Sequence, residues 1–564
     1  MSSPHLWLAL PLLALPALLP LITRGLTASA DGMTHLIRIA LLVNQWQQGV
    51  LYPRWMPELV TGLGYPVVNF YAPATYYLTG ALQLLGATTA NALLVAFAFF
   101  IIAGGLGMYF LARDLYGAGS PWAALVAGVA YMYAPYLLAN VFVRGAIAEV
   151  GAQALLPWIL WCGRRLLTAN RPVLYAALLA LSLGALAVTH TVTLIIFPPF
   201  LLGYLLTVWW QRGHQRARLG WMAAGIGAAM GLSAFFWLPL IGESGYLSQD
   251  AFGTSIEIFI PENLWQWQTF LDLHLQYEYT FAVPYQLGLG QTVLAVAGLF
   301  FVRRWDREWL YLLLATALAC VAMGVWAEAL WLSNRVSLAV QFPWRLLAIV
   351  SLTLPLFTGA IAWHNPSPRH PALVASALLL LIILFNRPQV DWMGPLETQN
   401  GSISLPAIAR HEAITGQLGT GPTREFMPRW SEDGAYLPES TDVAIDGIEI
   451  ALQRSDGHGL EFDVASPTGG ALRFTNLYFP GWQATLDDTL PLEPYPSTNL
   501  GLLTLDVPPG SHQLRLTNVG TPLQRWATWL TLATLVGLIV LTWRARFTGF
   551  LAPLRCFCLL AVRR

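Results

Sequence analysis

The chain has 564 residues, 56% of them hydrophobic and 11% charged, which is less than half the charged share of an ordinary soluble domain, about 25%. Its 30 basic and 30 acidic residues cancel and no basic residue is a lysine, so nothing favours an electrostatic nucleic-acid binder. The cysteines at 162, 320, 556 and 558 lie in or beside apolar runs and match neither a zinc site nor a secreted disulfide framework.

Residues 7–23 form the first apolar run. Ala28-Ser29-Ala30 would suit a signal-peptide cleavage site, but no basic residue precedes the run, and the reading adopted is a retained first helix. Apolar segments then recur at 91–111, 121–138, 150–161, 172–188, 192–210, 220–240, 286–302, 309–328, 342–362, 371–386 and 526–543. The segment 150–161 is short and contains Pro157, a possible break. Together these predict a polytopic α-helical membrane protein of about twelve spans.

Basic clusters at 112–114, 163–165, 211–218, 303–307 and 543–547 all fall on one side if the N-terminus is cytoplasmic, and by the positive-inside rule that side is the cytoplasm of a bacterial inner membrane protein. Residues 73–88 would invert this pattern if they crossed. They are read instead as an interfacial helix with Tyr76 and Tyr77 at headgroup depth. The expected organisation is a transmembrane domain, 1–387, with an outer loop at 24–90, then an extracytoplasmic β-rich domain, 388–524, and a final helix with a cytoplasmic tail, 525–564. Short alternating runs and Pro-Gly turns argue for the sheet domain, with Leu514 and Leu516 facing its core and Gln513 and Arg515 facing water.

The outer loop opens with Asp31, His35 and Arg38, spaced to share one helical face. The bland reading is a solvated first turn whose acid offsets the helix dipole. The functional reading is a carboxylate beside a membrane-lined cavity, able to deprotonate an acceptor or help hold a divalent cation, Mg or Mn. Arg38, Arg54, Arg144 and Arg335 are all predicted outside, where the positive-inside rule does not explain them. Arg144 and Glu149 share a very short outer turn, either as a local ion pair or as part of a site. His190 lies at an outer turn, where satisfying a helix-end carbonyl competes with contacting an acceptor or phosphate, and Glu243 closes the seventh span, either as a second carboxylate or as a solvated helix end. Asn69 and Tyr71 either line a sugar pocket or anchor the loop. Gln341 and Arg345 begin a span, and an Arg entering hydrocarbon needs a partner such as lipid phosphate.

This layout resembles the GT-C superfamily of integral membrane glycosyltransferases: one helix, a large outer loop opening on an acidic residue, amphipathic helices including "YYLTGALQLLG", then a span ending in "MYFLARDLYG". The stretch "GVLYPRWMPELVTGLGYPVVNFYAPATYYLTGAL" is similar to bacterial multi-span proteins labelled 6-pyruvoyl-tetrahydropterin synthase-related, and "NLYFPGWQATLDD" with "VPPGSHQLRL" is similar to the terminal portion of YfhO-like membrane proteins. The soluble pterin synthase binds zinc through histidines, and this chain has no such histidine cluster, so the label implies no zinc chemistry here. The GT-C resemblance implies a polyprenyl-phosphate sugar donor in the bilayer and an envelope glycan, lipid or protein acceptor. It also implies inversion without a covalent intermediate, with Asp31 matching the family's first-loop acid. The competing readings are a transporter or flippase for lipid-linked glycans, and a non-catalytic envelope assembly protein. One shared outward cavity holding Asp31, Arg144 and His190 would favour catalysis, and dispersed positions would favour anchoring.

Overall fold

The computed structural model describes residues 5–248, 260–266, 286–333, 340–363, 371–387, 390, 394–396, 403–420, 424–431, 448–456 and 459–561. Arg335 lies outside them. The helices α1 (Leu10–Arg24), α2 (Gly32–Gln47), α3 (Ala74–Leu84), α4 (Thr89–Tyr116), α5 (Pro121–Met132), α6 (Ile147–Thr168), α7 (Pro172–Ala187) and α8 (Thr191–Gln211) make the first half. They are followed by α9 (Arg216–Leu232), α10 (Ala234–Gly242), α11 (Leu289–Leu299), α12 (Arg307–Met323), α13 (Leu347–Trp363) and α14 (Pro371–Phe385). A short helix α15 (Leu405–Thr415) precedes eight strands, and α16 (Pro522–Ala561) closes the chain.

Each apolar segment read from the sequence contains a helix. Among the described residues, six helices are long and apolar enough to cross a bilayer, or seven if α9 and α10, bent by 70° at their junction, count as one span. The apolar helices α7, α11 and α14 are shorter. The segment expected to break at Pro157 is instead one helix of 22 residues. It continues past the apolar run because its charges are matched: Arg164 pairs with Asp114 and with Glu308, the latter at 2.7 Å, and Arg165 pairs with Asp114 at 3.1 Å. Tyr204 donates to Glu308 at 2.6 Å and Gln211 to Asp306 at 2.7 Å. These bonds gather the ends of α4, α6 and α8 and the start of α12 at one end of the bundle, its basic end.

The stretch Pro121–Arg144 is enclosed by protein over its whole apolar window, whereas Pro522–Ala545 is covered over only 6% of its own. The first is the axis of the bundle and the second its rim. Small residues let helices approach that axis. A Cβ on Gly128 of α5 would stand 2.9 Å from the carbonyl oxygen of Gly105 on α4, and neither backbone has a flexible end to yield. Gly128→Val is therefore expected to lower stability by about 1–3 kcal/mol, the usual range for overpacking, read as a lower unfolding midpoint of the purified protein in detergent.

Helix α3 has 11 residues, about 16 Å at 1.5 Å per residue, half a bilayer core. Its two tyrosines differ from the headgroup expectation. Tyr77 lies edge-on to Trp46 near the C-terminal end of α2 and donates to the Leu51 carbonyl, whereas Tyr76 is 2% exposed and bonded to His35 near the N-terminal end of α2.

The C-terminal strands form two antiparallel sheets, ordered β1-β2-β8-β4-β5 and β3-β7-β6. They comprise β1 (Glu449–Asp456), β2 (Gly459–Ser466), β3 (Gly470–Leu477), β4 (Trp482–Leu486), β5 (Leu490–Leu492), β6 (Tyr495–Ser497), β7 (Leu502–Val507) and β8 (Gly510–Asn518). Leu514 and Leu516 of β8 enter a core with Val464, Leu472, Phe474 and Leu505, while Gln513 and Arg515 are exposed, as alternation requires.

The long first loop folds onto this domain. Leu477 donates its backbone N–H to Leu63 at 2.7 Å. Val60 and Thr61 take left-handed backbone angles, φ 56° and 52°, costly for β-branched residues. The buried carboxylate of Glu412 on α15 holds them there, accepting from Val60 N–H at 3.0 Å, Thr61 N–H at 2.6 Å and Gly419 N–H at 2.7 Å.

Candidate functional site

At the end of the bundle opposite the basic network, α5 runs into a π-type turn, Asn140–Arg144, closed by Gly145 at φ 68°. A single-turn π segment is a common way to re-aim a side chain at a functional position. Gly145 is required twice over, since its angle is left-handed and a Cβ there would run into Ser29. The close approach lets Ala30 and Asp31 donate backbone N–H groups to Val143 at 3.1 Å and Arg144 at 2.7 Å. The start of α2 is thereby fixed against the turn.

Arg144 is the hub. Its guanidinium pairs with Glu149, bonds Asn140 Oδ1 at 2.8 Å, lies 3.8 Å from Asp31 and covers the Trp344 ring at 4.9 Å. Glu149 is 1% exposed and also accepts from Tyr136. Arg345 stands beside this pair, its guanidinium carbon 5.6 Å from the rings of both Phe342 and Trp344. It is 6% exposed, and its Nε and Nη1 are buried without a hydrogen-bond partner among the described residues. Gln341 precedes it at φ 69°, a second strained backbone position.

Asp31 differs from its neighbours. Its side chain keeps 42% of its accessible surface, whereas Glu149, His35 and Arg345 beside it are buried. Loss of bulk water pushes its pKa up, opposed by Arg144, Arg38 and Arg345. His35 bonds Tyr76 at 2.8 Å, and burial with Arg38 and Arg144 nearby drives its pKa well down, leaving it neutral. Arg38 lies 3.4 Å from the Tyr76 hydroxyl and covers the Tyr71 ring at 4.5 Å. His190 caps α8, its Nδ1 2.8 Å from Thr193 Oγ1, and burial lowers its pKa to about 4. The charges of Glu149, Arg345 and Arg144 all act on it.

Asp31, His35, Arg38, Tyr71, Arg144, Glu149, His190 and Arg345 are thus in one neighbourhood. Arg54, Asn69 and Glu243 are in another. Arg54 donates to Asn69 at 2.7 Å and to the Phe235 carbonyl at 2.8 Å, and Asn69 donates to Glu243 at 2.7 Å. Glu243 also accepts from Gln524 at 2.9 Å and from Thr521. Both Glu243 oxygens are engaged in tying α10 and the first loop to the head of α16, so this network serves as a clamp. Tyr136, Asn140 and Trp344 complete the recess and were not singled out by the sequence reading. The signal available for Tyr136 was its place in the same apolar segment that ends at Arg144.

No group of three or more His, Cys, Asp or Glu able to hold a metal ion occurs among the described residues. Among the described residues Asp31 has Arg144, at 3.8 Å, as its ion-pair neighbour.

Apolar helices gathered around an enclosed axis, with a charged recess at one end and a sheet domain beyond it, define a multi-span integral membrane protein. Residues 68–390 match the family described as "6-pyruvoyl-tetrahydropterin synthase related domain; membrane protein". That is more than half of the chain, and the protein belongs to this family. An uncharacterized protein of Lactococcus lactis subsp. cremoris is 23% identical over 223 residues, 38% of this chain and 36% of that protein. Among solved structures, the arabinofuranosyltransferase AftD from Mycobacteria aligns with a TM-score of 0.48 and 17% identity, over 69% of this chain and 26% of AftD. A mutant of AftD aligns with a TM-score of 0.43 and 16% identity, over 69% and 27%. The match thus spans about a third of the Lactococcus relative and about a quarter of AftD.

Proposed function

We propose that the protein is a GT-C-like membrane glycosyltransferase that moves a sugar from a polyprenyl-phosphate donor to a cell-envelope acceptor on the extracytoplasmic face. The observation that carries this reading is Arg345, a buried guanidinium with open hydrogen-bonding edges, set beside Arg144 and across from the accessible carboxylate of Asp31. Buried guanidinium N–H groups with no acceptor among the described residues are costly in the free protein, and a lipid phosphate entering at bilayer depth would accept from them. Taking the arginine-rich end as cytoplasmic by the positive-inside rule, the recess and the sheet domain face outward in this reading.

In this reading Arg345 and Arg144 hold the phosphate of the donor. Asp31 takes the proton of an acceptor hydroxyl, whose oxygen forms a bond to the anomeric carbon. The bond from that carbon to the phosphate oxygen breaks, and the electron pair leaves on polyprenyl phosphate. His190, held neutral, offers its Nε2 to a sugar hydroxyl. Glu149 and Tyr136 position Arg144 rather than react.

The test is transfer of labelled sugar from a panel of polyprenyl-phosphate donors by the purified protein in lipid. Asp31→Asn is expected to lower turnover by about 10²–10⁴-fold, the usual weight of a general base, with donor binding retained. The acid limb of the wild-type rate should lie above the ordinary carboxylate range, since the raised pKa of Asp31 keeps it protonated, and idle as a base, to a higher pH. Turnover unaffected by the substitution removes Asp31 from the chemistry. The bent pair α9–α10 favours a second reading, transport of a lipid-linked glycan, because interrupted helices line transporter sites. Donor binding without turnover by any donor would select it.

A further inference from the structure

The first loop and the sheet domain meet along a seam of aromatic rings at the recess end of the bundle. Trp55 of the loop lies 6.1 Å from Phe479 and 6.4 Å from Trp482, the second contact edge to face at 83°. Both indole N–H groups, Trp55 Nε1 and Trp482 Nε1, are buried and have no acceptor among the described residues. Trp55 is 8% exposed, so its donor is withdrawn from water. A seam that served only to hold two parts together would be as well packed with phenylalanine and would avoid two unmade donors.

The rim is open where the floor is closed. Tyr246, Trp430 and Tyr478 are half-buried. Trp430 stacks on Tyr246 at 6.0 Å and meets Tyr478 at 4.9 Å. Ring edges and N–H donors, with the Arg429 guanidinium 4.9 Å from the Trp430 ring as a further donor, suit one ligand chemistry well. A sugar ring lays its C–H face on an aromatic ring while its hydroxyl oxygens accept from indole N–H groups. A lipid tail would leave both donors unmet, and a peptide strand would need an exposed sheet edge.

The seam also adjoins the recess. Phe70 stands against Phe479 at 6.1 Å, and the next residue, Tyr71, covers Arg38.

We propose that this seam is a saccharide-binding subsite, and that the acceptor reaches the recess as a glycan from the aqueous side rather than as a lipid from the bilayer. The acceptor role rests on the transferase reading above, but the binding itself does not. The probe is a panel of neutral methyl glycosides and disaccharides of common hexoses and pentoses, presented without any donor to the full chain in nanodiscs and read by saturation-transfer NMR. At least one saccharide is expected to bind saturably, and Trp55→Phe and Trp482→Phe, which keep the ring and remove the N–H, should each weaken it about fivefold or more. Trp529→Phe, on the exposed rim helix, serves as the control and should leave binding unchanged. Lack of saturable binding across the panel, or binding indifferent to Trp55 and Trp482, overturns the proposal. Because transfer is not read, a saccharide that binds while no donor turns over defeats the transferase reading and leaves the subsite standing.

Discussion

Glu149→Gln is expected to destabilise the protein by about 3–5 kcal/mol, the range for removing one partner of a buried ion pair. Glu149 is almost wholly enclosed, and it accepts from both Arg144 and Tyr136. An amide of the same shape keeps the volume but removes the charge that neutralises Arg144, with Arg345 close by. Asp31, at 3.8 Å and partly hydrated, compensates only in part. The measurement is reversible unfolding in mixed detergent. A loss below about 1 kcal/mol, the size of a surface pair, would mean that Arg144 is neutralised by something other than Glu149.

Arg345→Met is expected to act in the opposite sense on stability and to be the most damaging change for ligand. Nε and Nη1 of Arg345 are unpaired among the described residues, so an apolar side chain of similar length relieves a buried charge, and the unfolding midpoint should hold or rise. Affinity for a polyprenyl phosphate, followed by native mass spectrometry, should fall about 10–100-fold, since hydrogen bonds to charged groups contribute about 1.5–3 kcal/mol. Arg345→Lys should recover part of this, keeping the charge but losing the planar fork. A variant that is both more stable and blind to lipid phosphate is the signature of a residue retained for binding at a cost to the fold. A destabilised Arg345→Met that still binds would instead make Arg345 structural.

Helix identity was legible wherever one residue class ran unbroken. The apolar segments gave their helices, and the alternation around Leu514 and Leu516 gave a strand with the correct face inward. What misled was charge inside an apolar run. The sequence pattern stopped the Glu149 helix short at both ends, because Glu149 and Arg164 read as loop residues, whereas pairing with Arg144 and Glu308 lets both lie within the helix. The site was legible in part for the same reason. Asp31, Arg144 and Arg345 stood out as charges with no topological excuse, and they share one recess. Glu243 and Asn69 stood out equally, yet Asn69 bonds Glu243 174 residues on, and Glu243 bonds Thr521 and Gln524, 278 and 281 residues further along the chain, and no local pattern announces a clamp of that span. Tyr136 and Trp344 were invisible because buried aromatics are the common filling of a bundle.

The strained bend at Val60 and Thr61 bears on how the protein is made. Those residues are synthesised early, but the carboxylate that holds them in left-handed geometry belongs to Glu412, 351 residues after Thr61. Until the ribosome has delivered α15, the carboxylate that holds the bend is absent, and β-branched residues will relax to ordinary angles. The loop that carries Asp31 therefore waits, exposed, through most of translation. A chain truncated before α15 should insert its early helices and yet present that loop to protease, and a translocation chaperone engaging this protein would find its first binding segment there.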